Sequence, residues 1–192
     1  TSKVQEEFFN NFLEDDENSL MRALSSKLQD YWKKFKKTES AKVSYLYSKV
    51  QKNLYEFIGT KKSKEEITDQ DLYLNAFKGV DDYYFESALD STDNNNLIII
   101  LALIQSLCEK QFTKMQNFVR DQKYGNKQLP KPFDLISFLR SCINTYSKIM
   151  TKYNLPVGAK LIDLVTELIQ GNVRDNIASL IQKTFIYDMC RT

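Results

Sequence analysis

Histidine is absent from this sequence of 192 residues, and glycine and proline are scarce, with only five and three residues. The absence of histidine excludes a histidine general base, a histidine metal ligand and a catalytic triad built on histidine. Average usage would supply about two to three times as many glycines and prolines. Because sheet proteins need many turn residues, the shortage favours long helices joined by few loops, and we expect an all-α fold.

Cysteine is also sparse, and its three positions, Cys108, Cys142 and Cys190, lie far apart. Zinc sites usually contain closely spaced cysteine pairs, and the disulfide frameworks of secreted proteins favour an even number. The pattern therefore predicts free thiols in a reducing compartment and no metal site.

Long apolar runs and a strong charge of one sign are missing as well. The longest apolar run extends from Leu97 to Ile104, whereas a helix that crosses a bilayer needs about 18–20 apolar residues. The chain has 27 basic and 25 acidic side chains and a net charge of +2. We therefore expect a soluble chain that binds no nucleic acid and makes no direct membrane contact.

What the sequence does have is apolar residues at every third or fourth position along most of its length. This spacing predicts about eight or nine helices, packed as a helical bundle or an armadillo-like α-solenoid. Ser2 with Gln5 forms a capping box for the first helix. Asn18 is the predicted N-cap of a second helix, and Ser40 of a third that ends at Gly59.

The run from Leu97 to Cys108 is apolar almost all round and could form a buried strand or a buried helix. Its length and the lack of turn residues after it favour a helix. We expect this helix at the centre of the core, with four of its residues buried: Leu101, Leu103, Ile104 and Leu107. The acidic, asparagine-rich stretch from Asp90 to Asn96 is predicted to be a flexible tip.

Three regions follow from this pattern. Residues 1–59 are N-terminal helices, residues 60–96 are a linker with short helices and the flexible tip, and residues 97–192 are the helical core. We expect the three regions to form one continuous helical unit.

Two surface features admit a functional interpretation. A basic run comprises Lys33, Lys34, Lys36 and Lys37, for which a solvated helix face is the simpler explanation. Tyr45, Tyr47 and Tyr55 alternate with lysines, as in some RNA-binding surfaces, but packing between helices explains them more simply.

No motif that carries enzyme chemistry is present. The sequence has neither a glycine-rich phosphate loop nor a nucleophile elbow. Asp90 to Asn96 lacks the central glycine and closing glutamate of a calcium-binding EF-hand. The carboxylates at 14–17 and at 81–82 are exposed by pattern and have no cleft that would separate their pKa values. We therefore expect no enzyme activity and no cofactor.

Two stretches resemble a known channel family. Leu107-Cys108-Glu109, followed by Met-Gln-Asn-Phe-Val-Arg-Asp-Gln at 115–122, is similar to a motif of the inositol trisphosphate and ryanodine receptors. Leu-Val-Thr-Glu-Leu-Ile-Gln-Gly at 164–171 resembles a second motif in the same order and spacing. These motifs belong to the RIH-associated domain (ryanodine and inositol trisphosphate receptor homology) of those channels.

The resemblance covers roughly residues 94–182, is weaker over 1–37 and is absent between them. The chain departs from the family where Gly171 is followed by Asn-Val instead of Pro-Cys, and where Ile177 follows Asn176 in place of glutamine. A glycine-rich loop of the family is reduced to residues 153–158. The chain is thus identified as a divergent member.

The resemblance implies a non-catalytic, regulatory or structural module of an intracellular ligand-gated calcium-release channel, which transmits conformational change in the cytosolic assembly. The implied location is the cytosolic side of the endoplasmic reticulum or another calcium-store membrane, within a much longer membrane protein. The implied partners are neighbouring domains of the same channel, with other subunits of a tetramer as further candidates. Such a module neither binds inositol trisphosphate nor conducts calcium.

The motif residues suggest structural roles. Gln116 and Arg120 are neighbours on one helix face, and their long polar groups can satisfy carbonyls of an adjacent turn. We expect Arg120 to reach the loop that leads into the helix capped by Asp134, or a carboxylate beside it. The family-motif positions, structural or in contact with a partner, are Gln116, Asn117, Phe118, Arg120, Gln122, Thr166, Glu167, Gln170 and Gly171.

Two other function classes remain open at this point. One is an unrelated helical adaptor that binds a peptide or protein in a groove, and the other is an enzyme. An adaptor would not require a downstream membrane region, and an enzyme would require a pocket with converging titratable groups.

Overall fold

Helices make up nearly all of the regular structure. The computed structural model describes residues 2–15, 17–60, 68–80, 92–124 and 127–181. Within them lie eight helices: α1 (Lys3–Glu14), α2 (Ser19–Thr60), α3 (Asp69–Ala76), α4 (Thr92–Cys108), α5 (Thr113–Phe118), α6 (Leu135–Tyr146), α7 (Leu155–Ile169) and α8 (Arg174–Ile181). The all-α prediction is confirmed for these residues.

Within the described ranges, the one departure from helix in the regular structure is a small hairpin between α5 and α6. Strands β1 (Lys123–Tyr124) and β2 (Lys127–Gln128) pair antiparallel over two residues each, with Lys123 opposite Gln128. The chain here contains Gly125, Pro130 and Pro132, residues that favour turns over helix.

Helix α4 lies at the centre of the fold. It packs most closely against α7 and then against α2, while α1 and α5 contact it at its C-terminal end. Helices α6 and α8 complete the core by packing against α7 and against each other. The helix predicted from the apolar run Leu97 to Cys108 is thus confirmed, as is its central position.

The buried face of α4 differs from the prediction at one residue. Leu101, Ile104 and Leu107 are buried, but 47% of the Leu103 surface is exposed. Because the run is apolar all round, its sequence does not reveal which side faces the neighbours. Packing against α7 and α2 selects Leu97, Leu101, Ile104 and Cys108, which follow the three- and four-residue spacing of one face.

Leu101→Ala and Leu103→Ala form a matched pair that tests this face. Leu101 is fully buried, so its truncation should lower the free energy of unfolding by about 2–5 kcal/mol. Leu103→Ala should cost less than about 1 kcal/mol because water already covers much of the side chain. Urea denaturation of both variants measures the difference, and equal losses would contradict the assigned face.

The start of α4 also lies earlier than expected. The helix begins at Thr92, so the Asn-rich residues up to Asn96 form its first turns instead of a flexible tip. Asn94 is buried there. The remainder of the predicted tip, residues 90 and 91, lies outside the described residues.

Helix α2 is continuous over 42 residues, a length of about 63 Å. The prediction of two helices with a new N-cap at Ser40 was therefore wrong. The apolar stripe of Met21, Leu28 and Phe35 is interrupted because the next core positions are polar. No glycine or proline occurs before Gly59, so nothing in the local sequence ends the helix.

The buried polar residues of α2 include a charged pair, Glu39 and Lys42, which are 1% and 5% exposed. The Lys42 ammonium donates to Glu39 Oε1 at 2.6 Å. Asn154, in the turn before α7, donates from Nδ2 to Glu39 Oε2 at 2.8 Å and to the Ile149 carbonyl at 2.9 Å. We call Glu39, Lys42 and Asn154 the buried charge joint, since they tie α2 to the turn between α6 and α7.

Tyr146 and Gly158 pack beside this joint. The Tyr146 hydroxyl donates to the Asn154 carbonyl at 3.2 Å. Burial, reinforced by the negative charge of Glu39, raises the pKa of Tyr146. Gly158 of α7 lies so close that an added Cβ would come within 2.4 Å of the Tyr146 ring, so only glycine permits this contact.

Glu39→Ala should lower the free energy of unfolding by about 3–5 kcal/mol, because the buried Lys42 ammonium would lose its counter-charge. Replacement of Glu39 and Lys42 together by Leu and Met should recover much of the loss. The control is Glu56→Ala in the exposed Lys52–Glu56 pair, which should change stability by less than about 0.5 kcal/mol. Thermal denaturation of the three variants measures these losses. If Glu39→Ala destabilised the protein as little as Glu56→Ala, the buried charge joint would not contribute to stability.

The other predicted caps and surfaces are partly confirmed. The capping box of Ser2 and Gln5 is present. Asn18 precedes α2, but its side chain donates to the Pro130 carbonyl, and Asp15 accepts from the Leu20 amide in its place.

Three of the four tyrosines of α2 are not packed as expected. Tyr45, Tyr47 and Tyr55 are 41%, 73% and 70% exposed, so packing between helices does not account for them. The division into 1–59, 60–96 and 97–192 stays a prediction.

Candidate functional site

The main part of the first motif, residues 115–122, spans the end of the six-residue helix α5 and the four residues after it, between α1 and the C-terminal helices. Its Phe118 is buried, with ring centroids 5.8 Å from both Phe9 and Phe12 of α1. The two aromatic contacts fix α1 against this helix. Three polar side chains of the motif, Gln116, Arg120 and Gln122, each contact a different helix end.

Gln116 is completely buried and faces the end of α7. Its Nε2 donates to the Glu167 carbonyl at 2.6 Å and to the Gln170 carbonyl at 3.4 Å. The last carbonyls of a helix have no partner within the helix. Gln116 therefore supplies a donor from a distant part of the chain to the C-terminus of α7.

Asn176 of α8 extends this arrangement. Its Nδ2 donates to the carbonyls of Gln116 and Leu168, both at 2.9 Å, and its Oδ1 accepts from Arg120 Nε at 2.9 Å. One buried amide thus links α5, α7 and α8 and uses both its oxygen and its nitrogen. We call Gln116, Arg120 and Asn176 the polar brace.

The predicted partner of Arg120 was wrong. Arg120 does not reach the loop before Asp134; it binds Asn176 and also places Nη2 3.3 Å from Asp175 Oδ2. Arg120 follows Gln116 by four residues and so faces the same helix corner. The Asp175 side chain is 77% exposed, so the ion pair adds little beside the Asn176 hydrogen bond.

Gln122 makes the connection that was expected of Arg120. It is fully buried, and its Nε2 donates to the carbonyls of Phe118 at 2.7 Å and Phe133 at 3.0 Å. The Phe133 amide donates back to Gln122 Oε1. This reciprocal pair closes the base of the hairpin segment and holds the entry of α6.

The second motif contributes mainly backbone groups. Thr166 and Gln170 are exposed and Glu167 is half-buried, while the carbonyls of Glu167 and Gln170 accept from Gln116. Gly171 has φ +83°, a left-handed conformation that suits glycine at a helix end. Asn117 of the first motif is half-buried, and its carbonyl accepts from the amides of Arg120 and Asp121.

Two further amide side chains, Asn176 and Gln5, bind carbonyls at helix ends, which the sequence patterns did not predict. Gln5 donates from Nε2 to the carbonyls of Ser106 and Glu109, at 2.9 and 3.1 Å, at the end of α4. A signal for Asn176 did exist, because it lies between Val173 and Leu180 on the buried face of α8. A polar residue at a core position of an amphipathic helix indicates a specific partner.

The buried thiols have no nucleophilic character. Burial, together with the negative charge of Glu167, raises the pKa of Cys108, and burial raises that of Cys142 against the opposing charge of Lys36. Both thiols are free and stay protonated near neutral pH. In the described part of the chain, metal-ligating side chains do not gather in groups of three or more.

The family comparison adds to this geometry. A family model with the description RyR and IP3R Homology associated matches residues 91–192, just over half of the chain. This chain belongs to that family. No curated protein and no solved structure matches it.

Membership of the RIH-associated family bears on two earlier expectations. The adaptor considered above would have been unrelated to this family, and the match removes that alternative. The family is a domain of channel receptors and not a known catalytic family. Across the described ranges, none of the helices is long and apolar enough to cross a membrane.

Asn176→Ala tests the polar brace. The change would leave the buried Gln116 and Leu168 carbonyls without their donor, so the free energy of unfolding should fall by about 1–3 kcal/mol. Arg120→Lys should cost part of this, because lysine keeps the charge but lacks the Nε–H that Asn176 accepts.

The matched control is Asp175→Ala, one residue away and exposed, which should change stability by less than about 0.5 kcal/mol. Chemical denaturation followed by circular dichroism compares the three variants. If Asn176→Ala lowered the free energy of unfolding no more than Asp175→Ala, the polar brace would not contribute to stability.

Proposed function

We propose that this chain is a non-catalytic regulatory module of an intracellular ligand-gated calcium-release channel and that it transmits conformational change through the cytosolic assembly. Membership of the RIH-associated family supports the channel context. The observation that carries the mechanical part is the polar brace, because the buried amide of Asn176 connects three helices through three hydrogen bonds.

A module that transmits motion must resist deformation between the surfaces where force enters and leaves. Buried amide hydrogen bonds suit this task, since each broken bond would strand a buried carbonyl at a cost of about 1–3 kcal/mol. The brace and the buried charge joint act at opposite ends of α7. We infer that α7 and its neighbours move together as one body.

The proposed partners are neighbouring domains of the same channel, with other subunits of a tetramer as further candidates. The proposed location is the cytosolic side of the endoplasmic reticulum or of another calcium-store membrane. We expect no nucleic acid partner and no direct membrane contact through this part of the protein.

Calcium release from the full-length channel tests the proposal. Arg120→Lys and Asn176→Ala should shift the agonist concentration for half-maximal release by about threefold or more. The reason is that a weakened brace should reduce the coupling free energy between agonist binding and channel opening, which is typically about 1–3 kcal/mol. Lys148→Ala, an exposed position outside both motifs, is the control and should leave release unchanged. Assembly and amounts of each variant are checked by size-exclusion chromatography.

Two outcomes would overturn the proposal. One is a brace variant that destabilises this module yet leaves calcium release unchanged. The other is a full-length protein without any calcium flux under conditions in which it is assembled and membrane-bound.

A further inference from the structure

The C-terminal end of α2 extends beyond the hydrophobic core. The buried residues of this helix all lie within 21–42, whereas none of the residues 44–59 is buried. This outer part is about 24 Å long. Helix α3 packs beside it, and Asn53 of α2 donates to two carbonyls at the end of α3. Much of the remaining surface of this part of α2 therefore faces outward.

Four residues of this end follow the spacing of a helix-pairing surface. Tyr47, Gln51, Leu54 and Ile58 are separated by four, three and four positions, which is the alternation of a and d positions in a coiled coil. Tyr47 and Ile58 are 73% and 54% exposed, Gln51 is exposed, and Leu54 is half-buried. We call these four residues the α2 seam, which extends about 17 Å along the helix.

The α2 seam and its borders carry no charge. The e and g positions, which border the seam of a coiled coil, are all uncharged within 44–58: Ser48, Val50, Tyr55 and Phe57. The charged residues of the same stretch fall at the outer b and f positions: Lys49, Lys52 and Glu56. Two copies related by a two-fold axis place like surfaces against each other, so like charges there would repel. An uncharged seam avoids this repulsion.

The order of residues along the seam makes it complementary to itself. When two copies pair antiparallel about the midpoint between Gln51 and Leu54, Tyr47 of each chain lies opposite Ile58 of the other. In the two inner layers, Gln51 of each chain lies opposite Leu54 of the other. Both outer layers then contain a tyrosine packed on a β-branched apolar side chain, a combination of anchor and aliphatic contact that suits an interface.

The exposed area at this end is enough for a weak dimer. Tyr55, beside the seam, is 70% exposed, and Tyr73 and Phe77 of the adjacent α3 are 66% and 44% exposed. Together with Tyr47, these aromatic side chains offer roughly 400–600 Å², since a whole aromatic side chain buries about 150–250 Å². Ile58 adds to this area. The sum is comparable to the roughly 600 Å² per partner of small, transient interfaces.

We propose that the α2 seam binds the same seam of a second copy of this chain, as an antiparallel pair of helices around a two-fold axis. The heptad spacing, the lack of charge and the complementarity of the seam to itself all favour this occupant. A ring of four subunits joins unlike surfaces, so this pairing is additional to the partners proposed above and does not depend on the proposed function. Because the burial of apolar surface drives it, the pairing should persist at high salt.

Sedimentation equilibrium of the 192-residue chain measures the pairing. At protein concentrations from about 1 to about 300 μM, the range expected for a small interface, the average mass should rise from that of one chain toward that of two. The rise should be the same at about 50 and about 500 mM salt. The double variant Tyr47→Glu/Ile58→Glu should pair at least about tenfold more weakly, because both outer layers would then bring two carboxylates together.

The matched control is Ser26→Glu/Gln29→Glu, which changes two exposed positions of α2 outside the seam and alters net charge equally. It should pair within about twofold of the unchanged chain, since salt screens exposed charges that lie far from the interface. Circular dichroism checks that both double variants keep their helix content, which we expect because all four positions are exposed.

A mixture of two single variants tests the antiparallel register. A Tyr47→Glu chain and an Ile58→Lys chain bring opposite charges together only in an antiparallel pair, so the mixture should pair at least about threefold more tightly than either variant alone. The proposal is overturned if the unchanged chain keeps the mass of one chain throughout, if the control weakens pairing as much as the seam variant, or if the mixture pairs no better than its components.

Discussion

The fold depends on main-chain carbonyls at helix ends, which must find donors once they are buried. Many proteins meet this need locally, with a glycine after the helix or a basic side chain in its last turn. Here glycine is rare, and none of the described helices has a basic residue in its last turn.

Amide side chains from other parts of the chain supply the donors. Gln5 serves the end of α4, Gln116 the end of α7, and Asn53 the end of α3 through the carbonyls of Ala76 and Lys78. Because each donor comes from a different helix, the interaction that completes a helix also attaches it to its neighbour. At these three helix ends, the hydrogen bonds that satisfy the last carbonyls therefore also serve as tertiary contacts.

Sequence patterns predicted the helices well where a local residue decides the outcome, as at Ser2 and Asp134, whose side chains cap α1 and α6. They failed where the outcome depends on a distant partner. Glu39 occupies a core position of α2, where its charge is compensated by Lys42 and by Asn154, which lies 115 residues away, so the stripe looked interrupted and the helix was divided.

The candidate site shows the same limit. Periodicity indicated that Gln116 and Arg120 share a helix face, but it could not say which neighbour that face meets. Gln122 lies two residues after Arg120 and points to the α6 entry, whereas Arg120 points to α8. Choosing between them requires the positions of two other helices, which no spacing within α5 encodes.

The buried charge joint and the polar brace both act on α7. Asn154, in the turn before α7, binds the buried Glu39 of α2, and the carbonyls at the C-terminal end of α7 accept hydrogen bonds from Gln116 and Asn176. A helix of 15 residues, about 22 Å long, is thereby fixed at both ends by groups from different elements. Tilting it would break buried hydrogen bonds at one end or the other. We therefore expect a displacement of α2 to be passed to α7 through the Glu39–Asn154 contact, and from α7 to α8 through the Asn176–Leu168 contact.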